Sequence, residues 1–178
     1  MRRSLVLLAA FTALVPATLR AQEMQHAQHH NSGMAAVKPL YENVKGWILR
    51  SAEAMPAEHF SFKPVDGVRT YAQLLGHVAN ANFMFCSTVK GEQSPATQNY
   101  EETASREDLV RGLRAAFDYC DGAYAMEESK AMEQATLFGQ TGSKLWVLMF
   151  NVAHDMEHYG NLVTYMRMKG ITPPSSQR

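Results

Sequence analysis

Apolar residues return at three- and four-residue steps in four stretches of the chain, and that spacing predicts four amphipathic helices. In the first, residues 35–55, Val37, Leu40, Tyr41, Val44, Trp47, Ile48 and Ala52 share a face. Pro39 suits only its first turn and Pro56 ends it. A connection with Phe60, Phe62, Pro64 and a turn at Asp66-Gly67 follows, and Thr70 can cap the second helix. That helix, residues 71–90, carries Tyr71, Leu74, Leu75, Val78, Asn82, Phe85 and Val89 on its main stripe. His77 lies on the flank, beside Leu74, Ala81 and Met84, and Gly91 suits the stop.

Residues 92–105 form a polar connection long enough for the third helix to cross over and run parallel to the second. Ser105, with Asp108 three residues on, resembles a capping arrangement, and Leu109, Leu113, Ala116, Phe117, Cys120 and Tyr124 make the inner face of the third helix. Residues 127–142 read as a mixed connection, with a short helix around 130–135 and a turn bracketed by Gly139 and Gly142. Ser143 caps a last helix, residues 144–169, that is apolar almost all round and therefore heavily buried. No segment repeats and no strand pattern stands out. The expectation is an all-α four-helix bundle over residues 35–175, with a long crossover between helices two and three.

The chain start reads as an address. Arg2 and Arg3 precede a short apolar run, residues 5–15, that Pro16 breaks; small residues then lead to Ala21, the favoured cleavage point, with Ala17 the second choice. The run is well short of the roughly 20 residues of a membrane span. Residues 1–21 are thus expected to be a cleaved secretory signal, with an uncleaved anchor as the alternative. The mature protein is expected to be exported, periplasmic or secreted, without stable membrane insertion. No cysteine follows the run to take a lipid. Residues 22–34, with His26, His29 and His30, lack apolar periodicity and read as a disordered linker; as a metal scavenger it would bear an ordering cost for every ligand.

The 178 residues fit one domain. Lys+Arg and Asp+Glu are both 17, and no clustered basic face points to a nucleic-acid partner. The 11 methionines suggest an adaptable core or pocket. Export would permit a disulfide, and Cys86 and Cys120 are the only two cysteines. Both fall late in their helices, at similar height if helices two and three are parallel; two buried free thiols are the alternative.

Chemistry concentrates in the last helix. His154 and His158 are four apart and so lie one above the other, a two-nitrogen grip suited to zinc, nickel or iron(II). A third ligand must come from elsewhere, and His77 is the candidate. Spacing alone leaves the pair ambiguous. The strongest apolar stripe of the helix (Leu145, Leu148, Val152, Met156, Tyr159, Val163) lies about half a turn away. Either the histidines face solvent, which Asn151, Asp155 and Asn161 favour, or the helix is buried on more than one side, as Val147, Leu162 and Tyr165 suggest. The zinc-protease pattern does not apply: Asp155 follows His154 where that motif has glutamate, and Glu157 points away from both rings. No serine or cysteine triad and no glycine-rich phosphate cradle is evident.

Three segments, FKPVDGVRTYAQLLGHVANAN (residues 62–82), HDMEHYGNLVTYMRMKG (residues 154–170) and PPSS (residues 173–176), resemble the DinB/YfiT-like family of metal-binding four-helix bundles. The resemblance spans about residues 35–175. It implies one ligand histidine on helix two and two on the last helix, at His77, His154 and His158, and parallel helices two and three, which suit a Cys86–Cys120 pairing. It further implies a divalent metal, zinc first, with nickel or iron open, acting in a hydrolase or thiol-transferase. Asn80, Asp155, Tyr159 and Asn161 are expected as supporting residues around the ligands. Small cytosolic thiols would be scarce for an exported protein, which favours hydrolysis of an unidentified small-molecule substrate while thiol transfer stays open. A non-catalytic exported metal-binding protein and a purely structural bundle are the alternatives. Dimers are common among such bundles, though no sequence feature demands one here.

Overall fold

A computed structural model describes residues 32–103 and 105–177. Its long helices are α1 (Gly33–Ala54), α2 (Tyr71–Lys90), α3 (Arg106–Tyr124) and α4 (Lys144–Met168). The expected caps form. Thr70 Oγ1 accepts from Gln73 N while Gln73 Oε1 accepts from Thr70 N, and Ser105 and Ser143 accept from Asp108 N and Trp146 N. Gly91 ends α2 in the left-handed conformation (φ 72°), which glycine adopts without strain.

The helices surround one core in the order α1, α3, α2, α4, with the sequence neighbours α1 and α2 on a diagonal. Pairwise contacts fix their directions. Cys86 meets Cys120 late in α2 and α3, so these run parallel; Phe85 of α2 meets Phe150 of α4, while His77 meets His154, so these are antiparallel. Residues 91–105 make the crossover that the parallel pair requires. Tyr41 and Tyr124 stack at 3.7 Å at the centre, with Phe85, Phe117, Leu148 and Leu162 fully buried. No described helix is long and apolar enough to cross a membrane.

Three local expectations need correction. The linker does not extend to residue 34: Ser32 caps α1, accepting from Ala35 N at 3.1 Å, and Met34 is buried in the first turn. The earlier linker residues and the predicted signal segment lie outside the described residues. Pro39 therefore sits in the second turn rather than the first, where it is exposed.

The third correction concerns residues 127–142. One helical turn (Glu128–Ala131) is followed by a β-hairpin, β1 (Gln134–Leu137) paired antiparallel with β2 (Gln140–Ser143) in the register Leu137↔Gln140. Its strands are four residues long and only Leu137 is buried, too little alternation to read as a strand. The two-residue turn is Phe138-Gly139, with φ of 50° and 78°; hairpin turns with two positive φ values usually carry Asn-Gly, so the usual sequence cue is missing.

Candidate metal centre

α4 is buried on more than one side, which settles the ambiguity left by its apolar stripe. Leu148, Val152 and Tyr159 are buried as expected, and so are Val147, Asn151, Asp155, His158, Leu162 and Tyr165. His158 is 6% exposed and His154 half-buried. The antiparallel α2 brings His77 opposite them. His154 Nε2 lies 3.2 Å from His77 Nε2 and 3.1 Å from His158 Nε2, and the three ligand atoms lie within 4.8 Å of one another.

This convergence is poorly served by protons. A neutral imidazole nitrogen carries either a proton or a lone pair. His154 Nε2 can therefore serve both neighbours only as a shared, bent hydrogen-bond centre. A metal ion takes all three lone pairs at once. Zinc–nitrogen bonds of about 2.0–2.1 Å at the tetrahedral angle separate the donors by roughly 3.3 Å, close to the two short separations seen. The donor set thus fits a divalent ion.

The ionisation state agrees. Burial, reinforced by the neighbouring imidazoles and Arg69, lowers the His154 pKa to about 4, and burial likewise lowers that of His158. Both rings are neutral at physiological pH and keep a lone pair for a ligand bond. Their Nδ1 atoms are buried without a hydrogen-bond partner among the described residues.

His77 is oriented differently. Its Nδ1 lies 2.8 Å from Glu101 Oε1; a carboxylate only accepts, so Nδ1 carries the proton, and in the neutral ring Nε2 faces the other histidines as a lone pair. Glu101 Oε1 also accepts from Arg69 Nε at 2.8 Å. Glu101 was not legible in the sequence. It sits in a 3₁₀ turn (Tyr100–Glu102) inside the polar crossover, with no spacing relation to any histidine.

The fold places that turn by two routes. Gly76, the residue before His77, leaves room for the crossover backbone: a Cβ there would lie 2.3 Å from the Tyr100 carbonyl oxygen. Gly112 of α3 likewise accommodates the Tyr100 ring. Asn80, expected beside the ligands, instead holds the crossover, accepting from Tyr100 N at 3.0 Å and donating to Asn99 Oδ1 at 2.6 Å. It supports the centre one step removed, through Glu101.

Among the described residues, none of the other expected supporting residues hydrogen-bonds a histidine of the trio. Asp155 is fully buried and accepts from Asn82 Nδ2 at 2.9 Å, in a polar cluster that continues through Asn151 to Tyr124. Tyr159 shares hydrogen bonds with Ser175 Oγ (2.8 Å) and Ser175 N (2.9 Å), pinning the C-terminal tail. Asn161 is exposed and, with Arg69, Gln73, Thr164 and Tyr165, lines a cleft of about 790 Å³ that reaches His158. Cys86 and Cys120 are joined by a disulfide with Cα atoms 5.3 Å apart.

Comparison with known proteins agrees with this fold. The family model described as "DinB family" matches residues 40–177. The uncharacterized protein YjoA of Bacillus subtilis (strain 168) is 26% identical over 129 residues, covering 68% of this chain and 80% of YjoA. Among solved structures, a DinB-like protein (YjoA) of Bacillus subtilis superposes with a TM-score of 0.65 at 20% identity, over 80% of this chain and 99% of that one. A DinB-like protein of Bacillus cereus gives 0.63 at 18% identity, over 74% and 89%. YfiT of Bacillus subtilis, described as "a probable metal-dependent hydrolase with an unusual four-helix bundle topology", gives 0.59 at 15% identity, over 78% and 89%.

Proposed function

The chain belongs to the DinB family, and from that premise we propose that it is an exported, divalent-metal-dependent hydrolase of a small-molecule substrate, with His77, His154 and His158 as the ligands. The observation that carries this reading is the meeting of three Nε2 atoms on two antiparallel helices, with two separations of 3.2 and 3.1 Å. A divalent ion held there, zinc first and nickel or iron(II) also suited to imidazole, would acidify a coordinated water or thiol and polarise a carbonyl.

The chain's own residues do the rest. Glu101 fixes the His77 tautomer and ring orientation and adds negative charge behind a neutral ligand. Burial keeps His154 and His158 unprotonated. The cleft against His158 gives a substrate access, and Arg69 supplies a cationic group on its wall. Hydrolysis is favoured over thiol transfer because water is available in any compartment. Export is supported by the basic-then-apolar start of the chain and by the disulfide between its two cysteines, a bond that oxidising compartments sustain.

Metal content of purified protein tests the centre. Wild type should hold about one divalent ion per chain, and His77→Ala, His154→Ala and His158→Ala should lose it while remaining helical; unchanged content in folded variants sinks the assignment. Wild type loaded with metal is then assayed on ester, amide and thiol-acceptor substrates. Turnover of esters or amides that disappears with the metal supports hydrolysis; turnover of thiol acceptors alone assigns transfer instead. Processing after Ala21 and recovery outside the cytosol test export.

A further inference from the structure

Trp146, Phe150, His154 and His158 lie in one row of α4 at four-residue spacing, so two aromatic rings continue the ligand pair toward the helix N-terminus. Phe150 is 40% exposed, and Phe138 at the hairpin tip is 68% exposed. These two rings meet at 6.2 Å, and both meet Phe85 of α2, at 5.5 and 6.2 Å. Phe85 in turn packs edge-on to the His154 ring at 5.4 Å. An aromatic ledge therefore begins at a ligand and ends in solvent.

Its outermost ring is held against local preference. Phe138 takes a positive φ of 50° at the first central position of a turn that favours Asn, Asp or Gly. A bulky residue in that conformation is an outlier, and most of its ring remains in water. Hairpin formation does not account for it, and departures from a local rule concentrate at functional sites.

We propose that the exposed rings of Phe138 and Phe150, backed by the buried Phe85, form the specificity subsite for an apolar, flat group of the substrate, joined directly to the group presented to the three histidines. This rests on the metal-centre reading above. Self-association explains the ledge less well. The two exposed rings offer roughly 200 Å² between them, against about 800 Å² per partner in a standard interface. The ledge is also continuous with a ligand rather than set apart from the site.

Two metal-binding probes that differ in one apolar group, acetohydroxamate and benzohydroxamate, test the proposal without knowledge of the substrate. Zinc content is measured first, then the dissociation constant of each probe by calorimetry on the zinc-loaded protein. Benzohydroxamate should bind wild type at least about tenfold more tightly, or about 1.4 kcal/mol. In Phe138→Asn and Phe150→Ala that preference should fall severalfold, with zinc content and acetohydroxamate affinity unchanged. Phe138→Asn relieves the turn, so its thermal midpoint should not fall. Absence of zinc in wild type would remove the metal reading and this proposal with it. A zinc-loaded protein that shows no preference, or one unchanged in both variants, overturns the subsite alone. An unchanged preference with a dimer lost in the variants, read by sedimentation, reassigns the ledge to a second copy of the chain.

Discussion

His77 donates its Nδ1 proton to Glu101 Oε1 across 2.8 Å, and this contact decides which nitrogen of His77 faces His154. The carboxylate is delivered by a crossover segment that Gly76 and Asn80 hold against α2. A loop residue remote in sequence thus sets the chemistry of a helical one.

Removal of that acceptor should therefore weaken the centre without unfolding it. Glu101→Ala is expected to reduce zinc affinity about 10- to 100-fold, measured by competition with a chromophoric chelator. Glu101→Gln should lose less, because the amide oxygen still accepts from Nδ1. Equal affinity in wild type and Glu101→Ala would show that the contact does not support the ligand.

The bundle, its helix caps and the His154–His158 pair were readable from the chain because each rests on local spacing. Thr70, Ser105 and Ser143 announce helix starts, and His154 and His158 share a face by virtue of four-residue separation. That His77 completes the trio came from family resemblance, since no spacing relates α2 to α4. Glu101 was hidden for the same reason, its approach depending on the missing side chain of Gly76. The hairpin was hidden because Phe-Gly stands where a turn normally carries Asn-Gly. The polarity of Asp155 points to solvent or ligand support, whereas its carboxyl is buried in a cluster with Asn82, Asn151 and Tyr124.

Asp155 gives a second prediction. Its carboxyl is fully buried, Asn82 supplies one hydrogen bond, and among the described residues Oδ2 has no partner; burial pushes its pKa well above the ordinary carboxylate range. Asn151 Oδ1, four residues earlier on the same face, is also without a donor. Asp155→Asn supplies a neutral amide where the chain already disfavours charge. Stability in urea should hold to within about 1 kcal/mol or rise, and zinc content should not change. Loss of zinc from a folded Asp155→Asn protein would return the residue to the metal centre.

Glu128 governs the acid side of the stability curve at the start of α1. Its carboxylate accepts from Met34 N at 2.9 Å and Gly33 N at 3.1 Å, and the bond from Met34, with help from Gly33 and Ser32, lowers its pKa. A carboxylate lowered on folding contributes stability that is full above its unfolded value, about 4.3, and is lost as pH falls through the folded value. Glu128→Gln should therefore be less stable than wild type near neutrality by a few tenths to about 1 kcal/mol. The difference should close on acidification below about pH 4. Urea midpoints at several pH values read both effects, and a gap that widens in acid contradicts the assignment.

The disulfide joins two fully buried cysteines and closes a loop of 34 residues that contains the whole crossover, Glu101 included. Closing a loop of that length restricts the unfolded chain by about 3–4 kcal/mol in the chain-entropy account. It also holds the parallel ends of α2 and α3 together without help from a short turn. Cys86→Ala/Cys120→Ala should lose stability of that order in urea. Zinc affinity should fall less than in Glu101→Ala, because Gly76 and Asn80 still seat the crossover beside His77. A loss below about 1 kcal/mol would mean that packing of α2 on α3 alone sets their register. A loss of zinc as large as that of Glu101→Ala would mean that the bond, rather than the Gly76 and Asn80 contacts, positions the carboxylate.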